Sequence, residues 1–349
     1  MDERTPAPSE PGTSDPAIAA GSGDTRSELT RTPVRPGDVA ERLILPLLFV
    51  AVGVFFTVLP ATSASFLTEA NVRTVLANQA VIAVAALGVI PSIAAGQYDL
   101  SIGANVGASA MAAAGAARAG WAVPEVIAIT LAVGLAIGVA NGSLVACLHI
   151  DSLIATIGTS TVIGALVAWY SDSSTIIAPF PDSFTNAIND NWLGVPRVVG
   201  IMVVVGIAVY LLMEHTPLGR YLQGLGANQR AARLVGLNVS RLTVGSLALT
   251  GIVGGVAGLL IAAQNGSVSP QTGPGYTLVA LSAVFLGSTS IQPGRFNVLG
   301  TMFAVYFVAM IVNGLTLAGA DAWVNPLFNG LALLIAVALS IAVRRRGTD

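Results

Sequence analysis

The chain has 349 residues, of which 54% are hydrophobic and only 10% are charged, whereas a soluble domain carries roughly a quarter charged residues. This shortage of charge excludes an ordinary water-exposed surface, and the net charge of −2 gives no reason to expect a nucleic-acid partner. The single cysteine, Cys147, excludes an internal disulfide.

Residues 1–37 precede the first long apolar run. They are rich in Pro, Ser, Thr, Gly and charged residues, and large apolar side chains are almost absent. Such a segment cannot bury enough apolar surface to offset the entropy of ordering it, so we predict a disordered cytoplasmic tail. We expect no signal peptide, because the first apolar run starts only near Leu43.

Long apolar runs alternate with short polar breaks over residues 38–343. A helix needs about 20 apolar residues to cross the hydrocarbon layer, and the pattern predicts an all-α integral membrane protein of about ten transmembrane helices. The predicted spans are 43–60, 71–95, 101–119, 121–148, 153–170, 198–213, 242–263, 276–286, 296–317 and 323–343. The eighth is short, which indicates either a broken helix or a re-entrant segment.

The arginines are distributed unevenly over the predicted bundle. If the tail is cytoplasmic and the spans alternate in direction, the cytoplasmic side collects most of them, as the positive-inside rule requires. The cytoplasmic set is Arg35, Arg42, Arg220, Arg230, Arg233, Arg241, Arg295, Arg344, Arg345 and Arg346, and the outer set is Arg73, Arg118 and Arg197. We therefore predict that both termini are cytoplasmic, with residues 344–349 as a short C-terminal tail.

The longest predicted cytoplasmic loop covers residues 214–241 and is too polar to span the membrane. Good helix formers run from Ala227 to Val235 between two glycines, so we predict a short basic surface helix. A simple positive anchor would need only the arginines and not this much structured length. Within the helix, Ala231 and Ala232 are small although nothing in this chain alone requires smallness there, whereas a docked partner would.

The stretch 226–237, GANQRAARLVGL, resembles the coupling-helix motif of bacterial sugar-type ABC permeases, the family of ribose, xylose and galactose permeases. In that family this loop docks into the ATP-binding subunit. The resemblance implies coupling residues Gly226, Asn228, Arg230, Ala231, Ala232, Arg233 and Gly236. It also implies that ATP is bound and hydrolysed by a separate protein. The chain has no GxxxxGK[ST] phosphate loop, and we expect no enzyme activity, cofactor or metal in it.

Two further stretches resemble signatures of the same family. The first is GQYDLSIG, with Gly96, Asp99, Leu100, Ser101 and Gly103. Asp99 follows a glycine break between two apolar runs, so it is either a charged hinge element or a cap for the next helix. The second is LGSTSIQPG, a small-residue turn with Gly287, Thr289, Ser290 and Gly294.

The family resemblance implies a path between two permease subunits that opens alternately to each side. It implies a second permease subunit, as a homo- or heterodimer, an ATP-binding subunit and an extracytoplasmic sugar-binding protein, all beside membrane lipid. Candidate solute contacts within the spans are Asn78, Gln79, Asn105, Asn141, Thr156, Thr159, Gln264, Asn313, Asn325 and Phe328. The alternative role for each is interhelical hydrogen bonding, worth about 0.6 kcal/mol on average.

These observations predict the permease subunit of an ATP-driven importer that moves a simple sugar across the bacterial cytoplasmic membrane. The lack of charge inside the spans favours a neutral solute and disfavours a proton relay. Two alternatives stay open at this point. One is a permease for a branched-chain amino acid or a nucleoside. The other is a stand-alone secondary transporter, which would have no reason to present a coupling loop.

Overall fold

The computed structural model describes the backbone of residues 36–346 and the side chains of residues 45–339. The predicted N-terminal tail, residues 1–37, lies almost entirely outside these residues, and the predicted C-terminal tail lies partly outside them. Within residues 36–346 the chain is α-helical apart from short turns and two small β ladders.

The helices follow one another with short connections. They are α1 Pro36–Val58, α2 Glu69–Ala94, α3 Ile102–Arg118, α4 Val123–Cys147, α5 Ser152–Tyr170, α6 Asp182–Asn189, α7 Arg197–Tyr210, α8 Pro217–Ala227, α9 Gln229–Leu234, α10 Val239–Asn265, α11 Pro274–Gly287, α12 Val298–Leu317 and α13 Val324–Arg346. A single π-helical turn, Leu211–His215, continues α7. The strands are β1 Ile176–Ile177, β2 Asn191–Trp192, β3 Val195–Pro196 and β4 Ser267–Val268.

Each of the ten predicted spans is helical in the structure. Among the described residues, six helices meet the requirement of length and hydropathy for crossing a membrane: α2, α4, α5, α7 with its π-helical turn, α10 and α12. Within residues 45–339, the apolar parts of three further helices are shorter, namely Leu45–Val58, Pro274–Gly287 and Val324–Leu339. The predicted all-α membrane bundle is therefore confirmed, and the predicted count of ten spans is not.

The centre of the bundle is formed by α2 and α10, whose apolar windows are 72% and 61% buried. Glycines allow the close approach of α4 to α10. Gly134, Gly138 and Gly142 follow one another at four-residue intervals on α4. Gly251 and Gly255 of α10 face the first two, and Val244 of α10 faces Gly142. This spacing of small residues lets helix backbones touch where apolar lipid provides no hydrophobic driving force.

The connections form two sets at opposite ends of α2. At its first turn, the Arg73 Nε donates to the Gly194 carbonyl at 3.0 Å. At its last turn, the chain contacts α8, since a Cβ on Gly226 would collide with the Ala94 carbonyl. The antiparallel pair β1–β4 joins the segment before α7 to the end of α10. We call the Arg73 end the outer end and the Gly226 end the inner end.

Helix α11 begins in the middle of the bundle and not at its edge. A Cβ on Gly107 of α3 would lie 3.0 Å from the Gly273 Cα, directly before α11. This part of α3 also faces Gly254, which lies about 22 Å from the first residue of α10 and about 16 Å from its last. The residues after β4 therefore enter the bundle to half its depth. From there α11 runs to the inner end, where Arg295 in the following turn donates to Gln223 of α8. The eighth predicted span is therefore the broken one of the two alternatives, an irregular half followed by a half-length helix.

Candidate coupling site and translocation path

The inner segment between α7 and α10 contains two helices instead of the single helix predicted for residues 227–235. Asn228 separates α8 from α9 because its backbone is extended and its Oδ1 accepts from the N–H groups of Arg230 and Ala231, both at 3.0 Å. This is an N-cap, so the predicted start of the coupling helix was wrong by two residues. Gly236, at φ +83°, follows the end of α9 as glycine commonly does.

Sequence reasoning missed α8 because its residues are mixed in polarity. Its start carries two ordinary helix signals. The Thr216 side chain accepts from the Gly219 N–H, and Pro217 occupies the first helical position, where its missing N–H costs nothing. Leu222 and Leu225 bury the apolar face of α8 against the bundle. The inner segment is thus a folded part of the bundle.

Helix α9 has one buried and one exposed side. Ala232 is buried, so the expectation that nothing in this chain requires its smallness was wrong. Arg230, Ala231 and Arg233 are exposed, as predicted for a surface that meets a partner. The sequence prediction missed two apolar neighbours, because Leu234 is 89% and Val235 76% exposed. Their signal was the apolar pair that follows the last arginine of the motif.

The end of α8 contacts the turn that follows α2. A Cβ on Gly226 would lie 3.0 Å from the Gly96 backbone nitrogen, and Gly96 itself adopts φ +77°. This left-handed conformation favours glycine. The predicted coupling segment and the first predicted signature are therefore in backbone contact, two residues before the Asn228 cap.

Asp99 begins a chain of buried hydrogen bonds across three helices. It is 1% exposed, and its Oδ1 accepts from the Ser101 N–H at 2.8 Å and from the Ser101 hydroxyl at 2.6 Å. The Asn141 amide donates to the Ser101 Oγ at 2.6 Å, and the Thr159 hydroxyl donates to the Asn141 Oδ1 at 2.7 Å. Asp99 thus caps the turn before α3. The predicted cap of α3 itself is not found, because the Ser101 side chain at the N-cap position accepts from no N–H of the helix. The hinge role stays a prediction.

Helix α5 also holds the backbone of this turn. The Ser152 Oγ accepts from the Tyr98 N–H at 3.1 Å, and the Thr156 Oγ1 accepts from the Leu100 N–H at 3.0 Å. On the far side, the Gly103 N–H donates to the Thr277 hydroxyl of α11 at 3.1 Å. The turn therefore joins the starts of α3 and α5 to the first turns of α11.

The second predicted signature forms the tight connection between α11 and α12. Asn297 organises it, because its Oδ1 accepts from the Gly300 N–H at 2.6 Å and its Nδ2 donates to the Gly287 carbonyl at 3.2 Å. Thr289 donates to the Leu286 carbonyl at 2.7 Å. The other signature residues belong to the same turn: the Ser290 N–H bonds to Gly287, and Gly294 adopts φ +82°.

Most candidate path residues serve the bundle itself. Asn105, Asn141 and Thr156 are buried, and the Asn105 amide donates to the carbonyls of Gly134 and Gly251 at 3.2 and 3.4 Å. The remaining positions vary: Asn313 pairs with Asn71, Gln264 donates to the Ala77 carbonyl, Asn78 is exposed, and Gln79, Thr159, Asn325 and Phe328 are half-buried.

Comparison with known proteins identifies the family. The family model described as branched-chain amino acid transport system, permease component, matches residues 71–337. The chain belongs to this permease family. The sequence resemblance to ABC permeases is thereby confirmed, and the matched residues contain both signatures and the whole inner segment.

Curated relatives match the permease over most of its length. It is 31% identical over 294 residues to the ribose import permease protein RbsC of Escherichia coli (strain K12), which covers 82% of this chain and 91% of the relative. It is 31% identical to the RbsC protein of Bacillus subtilis (strain 168), with 83% and 91% covered. It is 28% identical to the L-arabinose transport system permease protein AraH of E. coli K12, with 84% and 88% covered. No solved structure matches the chain.

The family and the fold together determine the class of protein. The permease is an integral protein of the bacterial inner membrane and a transport component, since its relatives are bacterial permeases and its helices include six of membrane-spanning length among the described residues.

Proposed function

We propose that the permease is the membrane-spanning subunit of an ATP-driven importer of a simple sugar. Relatives named for ribose and L-arabinose support the sugar, and so does a relative named for autoinducer 2, the LsrC protein of Photorhabdus laumondii, at 28% identity over 194 residues. The chain also supports a neutral solute, since residues 242–294, which include the irregular residues before α11, contain no charged residue.

The observation that carries the proposal is the exposed side of α9. Leu234 and Val235 present apolar side chains to solvent beside Arg230 and Arg233, while Ala232 fixes the opposite side of the helix to the bundle. Apolar anchors rimmed by arginines are typical of protein interfaces. In this proposal the ATP-binding subunit covers α9 and hydrolyses ATP, and the permease supplies the path.

The proposed orientation places the inner end and both termini in the cytoplasm. Among the described residues, the inner end carries Arg220, Arg230, Arg233, Arg241 and Arg295, and the outer end carries Arg73, Arg118 and Arg197. This asymmetry follows the positive-inside rule. A second permease subunit completes the path by alternating access, and an extracytoplasmic sugar-binding protein delivers solute to the outer end.

The test uses charge substitutions on α9. Ala231 is exposed, so Ala231→Glu leaves the permease fold unchanged, whereas Ala232→Glu would also disturb the buried side of the helix. We expect Ala231→Glu and Leu234→Asp to reduce both sugar uptake and co-purification of the ATP-binding subunit by about tenfold or more, because loss of a central interface contact costs about 2 kcal/mol. Ala322→Glu, exposed at the outer end, is the matched control.

The coupling role is contradicted if both α9 variants, at matched membrane levels, take up sugar and co-purify the ATP-binding subunit as well as the parent does. That result would support a stand-alone transporter.

The solute is tested in the same cells with ribose, L-arabinose, xylose, galactose and leucine, the last because of the family description. We expect uptake of at least one sugar and none of leucine. Uptake of leucine alone would refute the sugar assignment.

A further inference from the structure

The chain between β4 and α11 is irregular at the middle depth of the bundle. Thr272 donates its N–H to the Ser269 carbonyl at 3.0 Å, and its Oγ1 accepts from the Ser269 N–H at 3.2 Å. The Ser269 Oγ accepts from the Gln271 N–H at 3.3 Å. These bonds fold the segment into a compact turn and use both hydroxyl-bearing side chains within it. Gly273 then packs between Gly103 and Gly107 of α3. Residues 269–275, which we call the mid-bundle segment, are therefore fixed against α3 along one side.

The opposite side of the mid-bundle segment is open. Gln271, Pro274 and Gly275 are exposed, and a Cβ on Gly275 would meet no atom within 4 Å among the described residues. Leu278, one turn further on, is half-exposed. Below it α11 is enclosed, because residues 280–284 are all buried. The opening is thus confined to the start of α11 and the turn before it.

Lipid is an unsuitable cover for this opening. Non-helical backbone at membrane depth is tolerated only where protein buries it or where it lines a water-filled cavity. Among the described residues, no side chain caps the start of α11; Pro274 has no N–H, and the Tyr276 N–H donates to the Gly273 carbonyl at 3.0 Å. The N–H of the exposed Gly275 has no partner within the described chain, so it depends on water or on a polar ligand. An apolar acyl chain supplies neither. The opening therefore faces a hydrated space within the assembled transporter.

The chemistry of the opening is polar and neutral. The Gln271 amide is exposed and makes no hydrogen bond with the part of the chain that the structure describes. A primary amide provides two donors and one acceptor oxygen, which matches the alternating donor and acceptor character of sugar hydroxyls. With no charge between residues 242 and 294, the opening offers nothing to an ionic solute.

We propose that the mid-bundle segment lines the translocation path and that the Gln271 amide hydrogen-bonds the sugar as it passes the middle of the membrane. This inference rests on the proposed function and assigns the solute contact to a residue outside the set predicted from the sequence. The sequence-predicted candidates that are buried between helices stabilise the packing around this segment; they are Asn105, Asn141 and Thr156.

The water accessibility of position 271 tests whether this segment lines the path, and the test does not depend on the identity of the solute. Cys147→Ala provides a cysteine-free background, and Gln271→Cys is compared with Val204→Cys, a 65% exposed position in the middle of α7. The assembled transporter is reacted in membranes with a charged methanethiosulfonate reagent. We expect Gln271→Cys to react at least about tenfold faster, since thiolates form readily only in contact with water. Equal rates would overturn the proposal.

Solute recognition is tested by uptake kinetics of the sugar that the parent complex imports. Gln271→Leu keeps the size and removes the amide, and we expect the half-saturation concentration to rise about 5- to 20-fold at matched membrane levels. Gln271→Asn keeps the amide on a shorter chain and should fall between parent and Leu variant. Unchanged half-saturation in Gln271→Leu would overturn the recognition role, whereas absence of sugar uptake by the parent would refute the proposed function itself.

Discussion

One added methyl group tests how the centre of the permease is held together. A Cβ on Gly138 of α4 would lie 2.9 Å from the Ala248 Cα and 3.0 Å from the Gly251 Cα, and it would collide with the Leu247 carbonyl. Carbon atoms in contact prefer about 3.5–4.0 Å. Gly138→Ala therefore forces α4 and α10 apart by roughly 0.5–1 Å, because the obstacles are backbone atoms that cannot rotate away.

The expected cost follows from three contributions. Overpacking of a tight contact costs about 1–3 kcal/mol. The separation also stretches the Asn105 hydrogen bonds to the Gly134 and Gly251 carbonyls, each worth about 0.6 kcal/mol in membrane proteins. Against this, alanine stabilises a helix by about 1 kcal/mol relative to glycine. We expect a net destabilisation of about 2 kcal/mol.

The measurement is thermal stability of the purified permease in detergent, followed by size-exclusion chromatography after heating. Gly200→Ala is the matched control, because α7 is helical there and a Cβ would meet no atom within 4 Å among the described residues. We expect Gly138→Ala to melt several degrees below the parent and Gly200→Ala to melt at or slightly above it. Equal melting of the two variants would show that the glycine contact between α4 and α10 does not hold the bundle.

Three further outcomes are expected. Asp99→Asn should reach the same level in the membrane as the parent, since an amide oxygen still caps the turn. Asp99→Ala should lower that level, because it leaves buried donors unpaired at a cost of about 1–3 kcal/mol each. Equal levels of the two variants on immunoblots would reject the capping role. Gly226→Ala should lower the amount of sugar taken up per ATP hydrolysed, because its Cβ meets the backbone of the turn after α2. An unchanged ratio of uptake to hydrolysis would show that this contact does not link the coupling site to the turn. In the Cys147→Ala background, Asp182→Cys should label from outside intact cells and Arg233→Cys should not; the reverse result would invert the proposed orientation.

Much of the fold was predictable because its signals are local. Apolar length located all ten helical segments that were predicted, and the shortness of the eighth indicated an interrupted span. Hydropathy alone could not establish the number of full spans, because α3 is short and rich in alanine and glycine and α11 starts halfway through the bundle. Local sequence reports the composition of a segment but not the depth at which it begins.

The functional residues were less predictable because their roles depend on contacts distant in sequence. Polarity alone made Asn105 and Asn141 path candidates, yet each donates to groups on other helices. Smallness alone made Ala232 part of an exposed contact, yet it packs on the bundle. Conversely, Gln271 had no local signal, since only the tertiary structure leaves it exposed. Leu234 had only the signal of an apolar pair that follows the last arginine of the motif.

Backbone contacts join the proposed coupling site to the proposed path. The Asn228 cap that starts α9 lies two residues after Gly226, which touches Gly96. The same turn leads through Asp99 to Gly103, whose N–H is bonded to Thr277 of α11. These are short connections between tightly packed backbones, and such contacts do not deform gradually. A displacement of α9 by an ATP-binding subunit would therefore move the turn after α2 as a unit, and the start of α11 beside Gln271 would move with it.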